Sequence, residues 1–471
     1  MEILHVSAEC YPVAKVGGLG DVVGALPKYQ HQLGSIAKVV LPAYRTKFYD
    51  THEFDVVHQA GMWLGHQWYH FNVLKERHNV LDFDLYLVDI PGLLDTPGVY
   101  GYPNDTERFL AFQIAVLDWI NEWQHQPDVI HCHDHHTGLI PFLMSWGYKY
   151  SRLKEVPSVL TIHNAQYQGQ FGWDKLYLIP SFDLWKSGLL DWNGAINPLA
   201  AAIKCAWRVT TVSPGYMEEL YTSANGLESL ISSERAKTVG IINGIDAVVW
   251  DPNTDPMITA NYNTNTIDNG KHANKQALCE RFGLDTSLPL ISFIGRLVGD
   301  KGADLLPEII SRSLHELPGE VNFLVLGSGE PHIEWMLQQT REETGYGFNL
   351  HIGYNEALSH LIYAGSDFLL MPSRVEPCGL NQLYALRYGT VPIVRSIGGL
   401  KDTVTDFGDP GGFGIRFIQP SVWDACYSVK RALELFHDES KLQEVRHIAM
   451  QLNHSWGSSA QRYLDVYSSM K

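Results

Sequence analysis

One pattern limits what this chain can fold into. Short runs of Val, Ile and Leu recur, each followed by a turn and then a longer stretch with helical spacing. They fall at 3–8, 38–41, 84–88, 129–131, 158–163, 209–212 and 239–242, then at 290–294, 322–326, 349–352, 368–371 and 391–394. Strands apolar on both faces must be covered on both faces, and alternation with helices does this in open, doubly wound parallel sheets. The expected class is therefore α/β. With 471 residues the chain exceeds what one core usually serves, so two such sheets are expected. Residues 251–274 are rich in Asn, Thr, Asp and Pro and lack a helical period, which marks a boundary or else a long surface loop. The expected domains are 1–250 and 275–454. Two sheets joined there would open a cleft at the carboxyl ends of their strands, where such folds bind ligands.

Composition removes several functions. Hydrophobic residues are 45% and charged residues 18%, which excludes a largely disordered chain. The formal net charge of −17 disfavours nucleic acid and anionic lipid as partners. The 6 cysteines are scattered without a C-x-x-C pair, as expected in a reducing cytoplasm. No apolar stretch reaches membrane-span length, and the N-terminus reads as a strand rather than a signal segment.

Several turns carry chemistry. K-V-G-G-L-G-D at 15–21 follows the first run; Gly17 and Gly18 let backbone approach a ligand, and the helix start offers N–H groups to an anion. A plain tight turn is the alternative. G-R-L-V-G-D-K-G at 295–302 puts Arg296 and Lys301 at a strand end, where a fork and a mobile charge suit a diphosphate. Solvated surface charge is the alternative there. P-S-R-V-E-P-C-G-L-N-Q at 372–382 places Glu376 at a strand end, with the amides of Gly379, Leu380 and Asn381 before a helix. The carboxylate suits sugar hydroxyls and the amides suit phosphate, unless Glu376 only caps its helix. H-C-H-D-H-H at 131–136 invites a metal, yet adjacent residues on a strand end diverge and no second cluster completes a two-metal cage. Substrate lining and structural histidine both remain open for it. Asp82-Phe83-Asp84 matches a D-x-D metal clamp, against the alternative of a turn.

Seven motifs in order carry a resemblance: K-V-G-G-L-G-D, H-C-H-D-H-H-T-G, T-I-H-N-A-Q-Y-Q-G, N-G-I-D, G-R-L-V-G-D-K-G, P-S-R-V-E-P-C-G-L-N-Q-L-Y and G-T-V-P-I-V-R-S-I-G-G-L-K-D-T-V. Together they resemble the bacterial glycogen synthase and plant starch synthase family over nearly the whole chain. The resemblance implies a GT-B fold, two Rossmann-like domains facing across a deep cleft. It implies transfer of glucose from ADP-glucose, with retention, to the non-reducing end of an α-1,4-glucan, with no cofactor and no metal. It further implies that Lys15, Gly17, Gly18 and Asp21 line the donor site and that Arg296 and Lys301 hold the diphosphate. Glu376 with the backbone of Cys378 and Gly379 receives the glucose hydroxyls, followed by Leu380 and Asn381. His163 sits over the reacting sugar with Asp134 near it, Asn243 comes from the N-G-I-D motif, and Tyr354 lies beside the adenine. The segment from about 455 to 471, with Trp456, Tyr463, Leu464 and Tyr467 at helical spacing, is expected to cross back onto the first domain.

Two positions depart from the family pattern, Asn381 for Thr and His136 for Trp; Tyr384 stands where a broader pattern has a second Glu, which synthases of this family commonly lack too. Rival readings are the same transfer from UDP-glucose, a metal-dependent phosphoesterase built on Asp134, His135 and His136, an exported sugar-binding protein, and a glucan phosphorylase.

Overall fold

The computed structural model describes residues 1–470. The chain divides into two compact units, Met1–Ile241 with the chain from Trp456 onward, and Ile242–Ser455.

The first unit is built on β1 (Glu2–Val6), β2 (Ile36–Pro42), β3 (Phe54–Leu64), β4 (Gln67–Glu76), β5 (Asp84–Asp89), β6 (Val129–His133) and β7 (Ser158–Ile162). After a two-residue ladder of β8 (Asp191–Trp192) and β9 (Ala195–Ile196) come β10 (Arg208–Thr211) and β11 (Thr238–Gly240). The sheet order is β11-β10-β7-β6-β1-β2-β5-β4-β3. It is parallel from β11 to β5, and β4 and β3 then add antiparallel. That hairpin has no counterpart among the expected runs. β3 is exposed or half-buried at every position except Met62 and Leu64, so one face meets water and no continuous apolar run marks it.

The second unit holds β12 (Leu290–Ile294), β13 (Asn322–Gly327), β14 (Phe348–Ile352), β15 (Phe368–Met371), β16 (Val391–Arg395) and β17 (Ile415–Phe417). Its order is β14-β13-β12-β15-β16-β17, and every neighbouring pair is parallel. All twelve expected runs are strands, each end within two residues of its expected place. The three-residue β17 was too short to show as a run.

The units divide at Ile241, not within 251–274. That segment is part of the second unit: Ile258, Tyr262 and Ile267 are buried in one cluster with Tyr363, Leu369 and Tyr388. Its polar residues satisfy one another. Asn274 Oδ1 accepts from Thr259 and Ala260 N–H at 2.8 and 3.2 Å, and buried Asp255 accepts from Tyr388 at 2.5 Å. Asp255 also pairs with His360 Nδ1 at 2.7 Å. Low apolar content there reflects internal hydrogen bonding rather than looseness.

The last helix, Trp456–Ser468, belongs to the first unit. Trp456, Ala460, Tyr463 and Tyr467 lie on one stripe and are buried with Ile3, Val22, Leu26, Val129 and Val159. Burial of a large side chain contributes about 1.5–3 kcal/mol, so this stripe is a major part of that core.

Candidate active site

In the first unit, candidate residues gather at the carboxyl ends of β1, β6 and β7. Gly17 precedes the helix Gly18–Gln32, whose first turn has no side-chain cap. A Cβ added at Gly17 or Gly18 meets no atom within 4 Å, and neither residue has positive φ. The local fold thus gives no reason for glycine at either position. The loop is held from below by Glu9, which sequence reading missed. Glu9 Oε2 accepts from Val16 and Gly17 N–H at 2.6 and 2.9 Å, and Oε1 accepts from the Tyr100 hydroxyl at 2.6 Å. Lys15 Nζ meets Asp21 Oδ1 at 2.7 Å, a half-exposed pair of small energetic weight.

Asp134 follows β6 with φ +55, a strained conformation for a side chain with a Cβ. Its Oδ1 accepts the His163 N–H at 2.7 Å, tying the ends of β6 and β7 together. Burial pushes the Asp134 carboxyl up to about 7, opposed by backbone N–H groups of His163 and Asn164. The unfolded chain ionises near the ordinary value, so between about pH 4 and 7 the folded state binds the extra proton and stability falls as pH rises. Asp134→Asn keeps the acceptor oxygen without the charge. It is expected to raise the melting temperature at pH 8 by several degrees, with the gap narrowing toward pH 5. Calorimetry of both proteins across that range checks it, and a gap that widens in acid would contradict the buried-charge assignment.

The D-H-H string does not converge on a metal. His135 Nδ1 bonds the Tyr167 carbonyl oxygen at 3.1 Å, and buried His136 stacks on Tyr100 at 4.7 Å. His136 is thus a packing residue, with Phe109 against its edge. Among the described residues one group, His5, His131 and His133, has metal-ligand spacing. Each of their ring nitrogens already has a hydrogen-bond partner. In the D-x-D match, Asp82 lies 3.5 Å from Lys28 and Asp84 lies 2.7 Å from Lys75, so both carboxylates face lysines.

In the second unit, two motif loops form one clamped piece. Lys301 Nζ donates to both Glu376 oxygens, at 2.6 and 2.7 Å, and the Ser373 hydroxyl donates to Oε2 at 2.9 Å. Glu376 is buried and Lys301 half-buried. Arg374 forks onto Asp304 at 2.5 and 2.8 Å and donates to the Gly299 carbonyl, while its own N–H donates to Asp300 O. That guanidinium holds the Asp304 carboxyl below its ordinary value. Gly302 has φ +67, and a Cβ there would meet Pro372 O at 2.2 Å, so only glycine lets the loops approach so closely. Gly399 fits the same way against Cys378 O, where a Cβ would meet it at 2.1 Å. Arg374, Asp304 and Gly399 went unread because their partners lie far away in sequence.

Arg296 is exposed, and its guanidinium makes no hydrogen bond or ion pair with any described residue. Glu376 caps nothing: the helix Asn381–Arg387 begins with no side-chain cap at Leu380. Gly379 has φ +76 and turns the chain into that helix. Asn381 Nδ2 donates to Ile294 O at 2.6 Å, so its amide is tied to the end of β12. Burial pushes the Cys378 thiol up to about 12, and the Asn243 backbone is one of its partners. Asn243 is itself buried. Tyr354, two residues beyond β14, is 85% exposed. Tyr384 stacks on Trp250 at 3.9 Å, filling with an aromatic the place of a second carboxylate. A cavity of about 180 Å³ in this unit is lined by Ile245, Leu383, Arg387, Met450 and His454, none of them a candidate site residue.

A largely parallel first unit and an all-parallel second unit, with cationic and acidic loops at their strand ends, are matched by glycosyltransferases of the GT-B fold. Residues 2–233 match the starch synthase catalytic domain, and residues 274–447 match glycosyl transferases group 1. A glycogen synthase of Flavobacterium johnsoniae is 56% identical over 99% of both chains. One of Geobacillus stearothermophilus is 37% identical over 100% of this chain and 98% of its own. Among solved structures, the catalytic domain of starch synthase IV from Arabidopsis thaliana, bound to ADP and acarbose, superposes with a TM-score of 0.88 at 33% identity, covering 100% of this chain and 99% of that one. The chain belongs to the glycogen synthase and starch synthase family. Sucrose-phosphate synthase from Thermosynechococcus elongatus, at 16% identity and TM-score 0.63 over 99% and 98% of the two chains, shares the fold alone.

No helix among the described residues is long and apolar enough to cross a membrane.

Proposed function

We propose that this protein transfers glucose from ADP-glucose, with retention, to the non-reducing end of an α-1,4-glucan in the cytoplasm. The observation that carries this reading is the clamped loop pair of the second unit. It offers an unpaired guanidinium at Arg296 and, on the same loop, an ammonium joined to a buried carboxylate at Lys301 and Glu376. Support comes from relatives named glycogen synthase and from the starch synthase IV structure bound to ADP and acarbose.

Cleavage of the bond between the sugar C1 and phosphate oxygen builds negative charge on the departing diphosphate. Arg296 and Lys301 are assigned there, because fixed charge stabilises most where charge grows. Glu376, with the backbone of Cys378 and Gly379, is assigned to the glucose hydroxyls; its charge is balanced by Lys301, which lets it stay buried. Tyr354 is assigned to the adenine, and Asn243, Leu380 and Asn381 to the donor. From the first unit, Lys15, Gly17, Gly18 and Asp21 are assigned to the donor, and His163 and Asp134 to the sugar. The open space at Gly17 and Gly18 supports close approach of a ligand to that backbone. With Tyr384 in place of a second carboxylate, the acceptor hydroxyl attacks C1 on the face the phosphate leaves, and its proton passes to the leaving phosphate oxygen.

Incubation with glycogen and either ADP-glucose or UDP-glucose, with release of nucleoside diphosphate measured, tests this. ADP-glucose is expected to be the faster donor, at a rate unchanged by excess chelator. Faster release from UDP-glucose would overturn the donor assignment, and a rate restored only by magnesium or manganese would overturn metal-free transfer.

A further inference from the structure

Four buried histidines of the first unit belong to one hydrogen-bonded chain. His163 Nε2 lies 3.0 Å from His133 Nδ1, His133 Nε2 lies 3.1 Å from His5 Nδ1, and His5 Nε2 lies 2.7 Å from Gln30 Oε1. Gln30 Nε2 donates at 3.2 Å to the Tyr467 hydroxyl, on the last helix, which lies 2.6 Å from His131 Nδ1. His131 Nε2 is 2.6 Å from Thr161 Oγ1, which is 2.6 Å from Thr210 Oγ1; Thr210 donates to the Leu160 carbonyl at 3.3 Å. Every one of these side chains is buried.

The Gln30 amide fixes the direction: its Nε2 donates to the Tyr467 oxygen, so the single Tyr467 proton goes to His131 Nδ1. His131 thus carries its proton on Nε2, and at the far end Thr210 donates to the Leu160 carbonyl. Thr161 then donates to Thr210, and His131 Nε2–H donates to Thr161. Burial lowers the pKa of His5, His131 and His133, so each is neutral and carries one N–H. His131 Nδ1 is therefore bare and accepts from Tyr467, whose oxygen accepts from the Gln30 amide. Gln30 consequently turns its carbonyl oxygen to His5, whose Nε2–H donates to it. In turn His133 Nε2–H donates to His5, and His163 Nε2–H donates to His133. His163 is neutral as well, its pKa lowered to about 3 by burial, so its Nδ1 holds a lone pair. That Nδ1 makes no hydrogen bond to any described residue.

We propose that Gln30, Tyr467 and His131, acting through His5 and His133, are positioning residues that hold His163 in the Nε2–H tautomer, so that it offers an acceptor to a substrate sugar hydroxyl. The proposal rests on the assignment of His163 to the sugar in the proposed function. A ring fixed in the other tautomer would set an N–H where an acceptor is needed, and the contact would be lost. The same chain accounts for all six ring nitrogens of His5, His131 and His133, so no metal is needed to explain their closeness.

Selective ¹⁵N-histidine labelling of the full chain reads the tautomers in the free protein, with His163 assigned by its absence in His163→Ala. At neutral pH, His5, His133 and His163 are expected to be protonated at Nε2 only. Tyr467→Phe removes the hydroxyl and keeps the ring, and it is expected to convert His163 to a mixture of tautomers. Gln30→Met cuts the chain from another helix and is expected to do the same. Both should lower kcat about three- to tenfold, the effect of one neutral hydrogen bond. An Nδ1–H tautomer of His163 in the wild type, or a tautomer unmoved in both variants, overturns the chain. A tautomer that shifts with no change in kcat overturns its role in transfer. Should His163→Ala then also be fully active, the placement of His163 at the sugar has failed.

Discussion

Arg296→Ala is expected to lower kcat about a hundredfold or more while leaving the melting temperature unchanged. The loss is that of a preorganised charge facing a developing anion. The unchanged stability follows from the structure: the side chain is exposed and bonds no described residue, so its removal strands nothing. Lys301→Ala makes a useful contrast. Activity should fall as far, but the buried Glu376 carboxylate would keep only the Ser373 hydroxyl, so stability should fall too. The double variant Lys301→Ala/Glu376→Ala should recover part of that stability and none of the activity, because the two charges leave together. Steady-state kinetics and calorimetry on the four proteins check this. An active Arg296→Ala would move the diphosphate elsewhere, and a Lys301→Ala as stable as the wild type would mean that water reaches Glu376.

The second large effect is acid unfolding of the first unit. Burial lowers the imidazoles of His5 and His135 to about 4 and that of His163 to about 3, and it depresses His131, His133 and His136 well below the ordinary value too. The sign is set by the unfolded chain, whose histidines take up protons near pH 6.5 while the folded ones do not. Stability is therefore full above about pH 6.5 and is lost as pH falls. Each such group costs about 1.4 kcal/mol one pH unit below its ordinary value, so six together cost roughly 8 kcal/mol, comparable with the stability of a whole domain. Asp134 acts in the opposite direction, but it is a single group. The melting temperature of the first unit should thus drop steeply between pH 6.5 and 5. A flat profile would show that protons reach these rings in the folded protein.

The expected strands and the motif loops at their ends were legible in the sequence because both are local. A run such as Leu290–Ile294 states its own burial, and a turn such as that at 295–302 states its own charge. The β3–β4 hairpin was not legible, since its exposed face breaks the apolar run that would announce it. Composition misled at 251–274, where Asn and Asp bond each other and the backbone instead of water. What only the tertiary structure decided is pairing over distance: Arg374 onto Asp304, Glu9 beneath the Gly17 backbone, Tyr467 reaching His131 and Gln30. A side chain shows its donors and acceptors in the sequence but not their partners, which depend on which strand ends the sheet order brings together. His163 shows the difference most clearly. Its place after a strand is written in the sequence, while the direction of its proton is set by residues on four other elements.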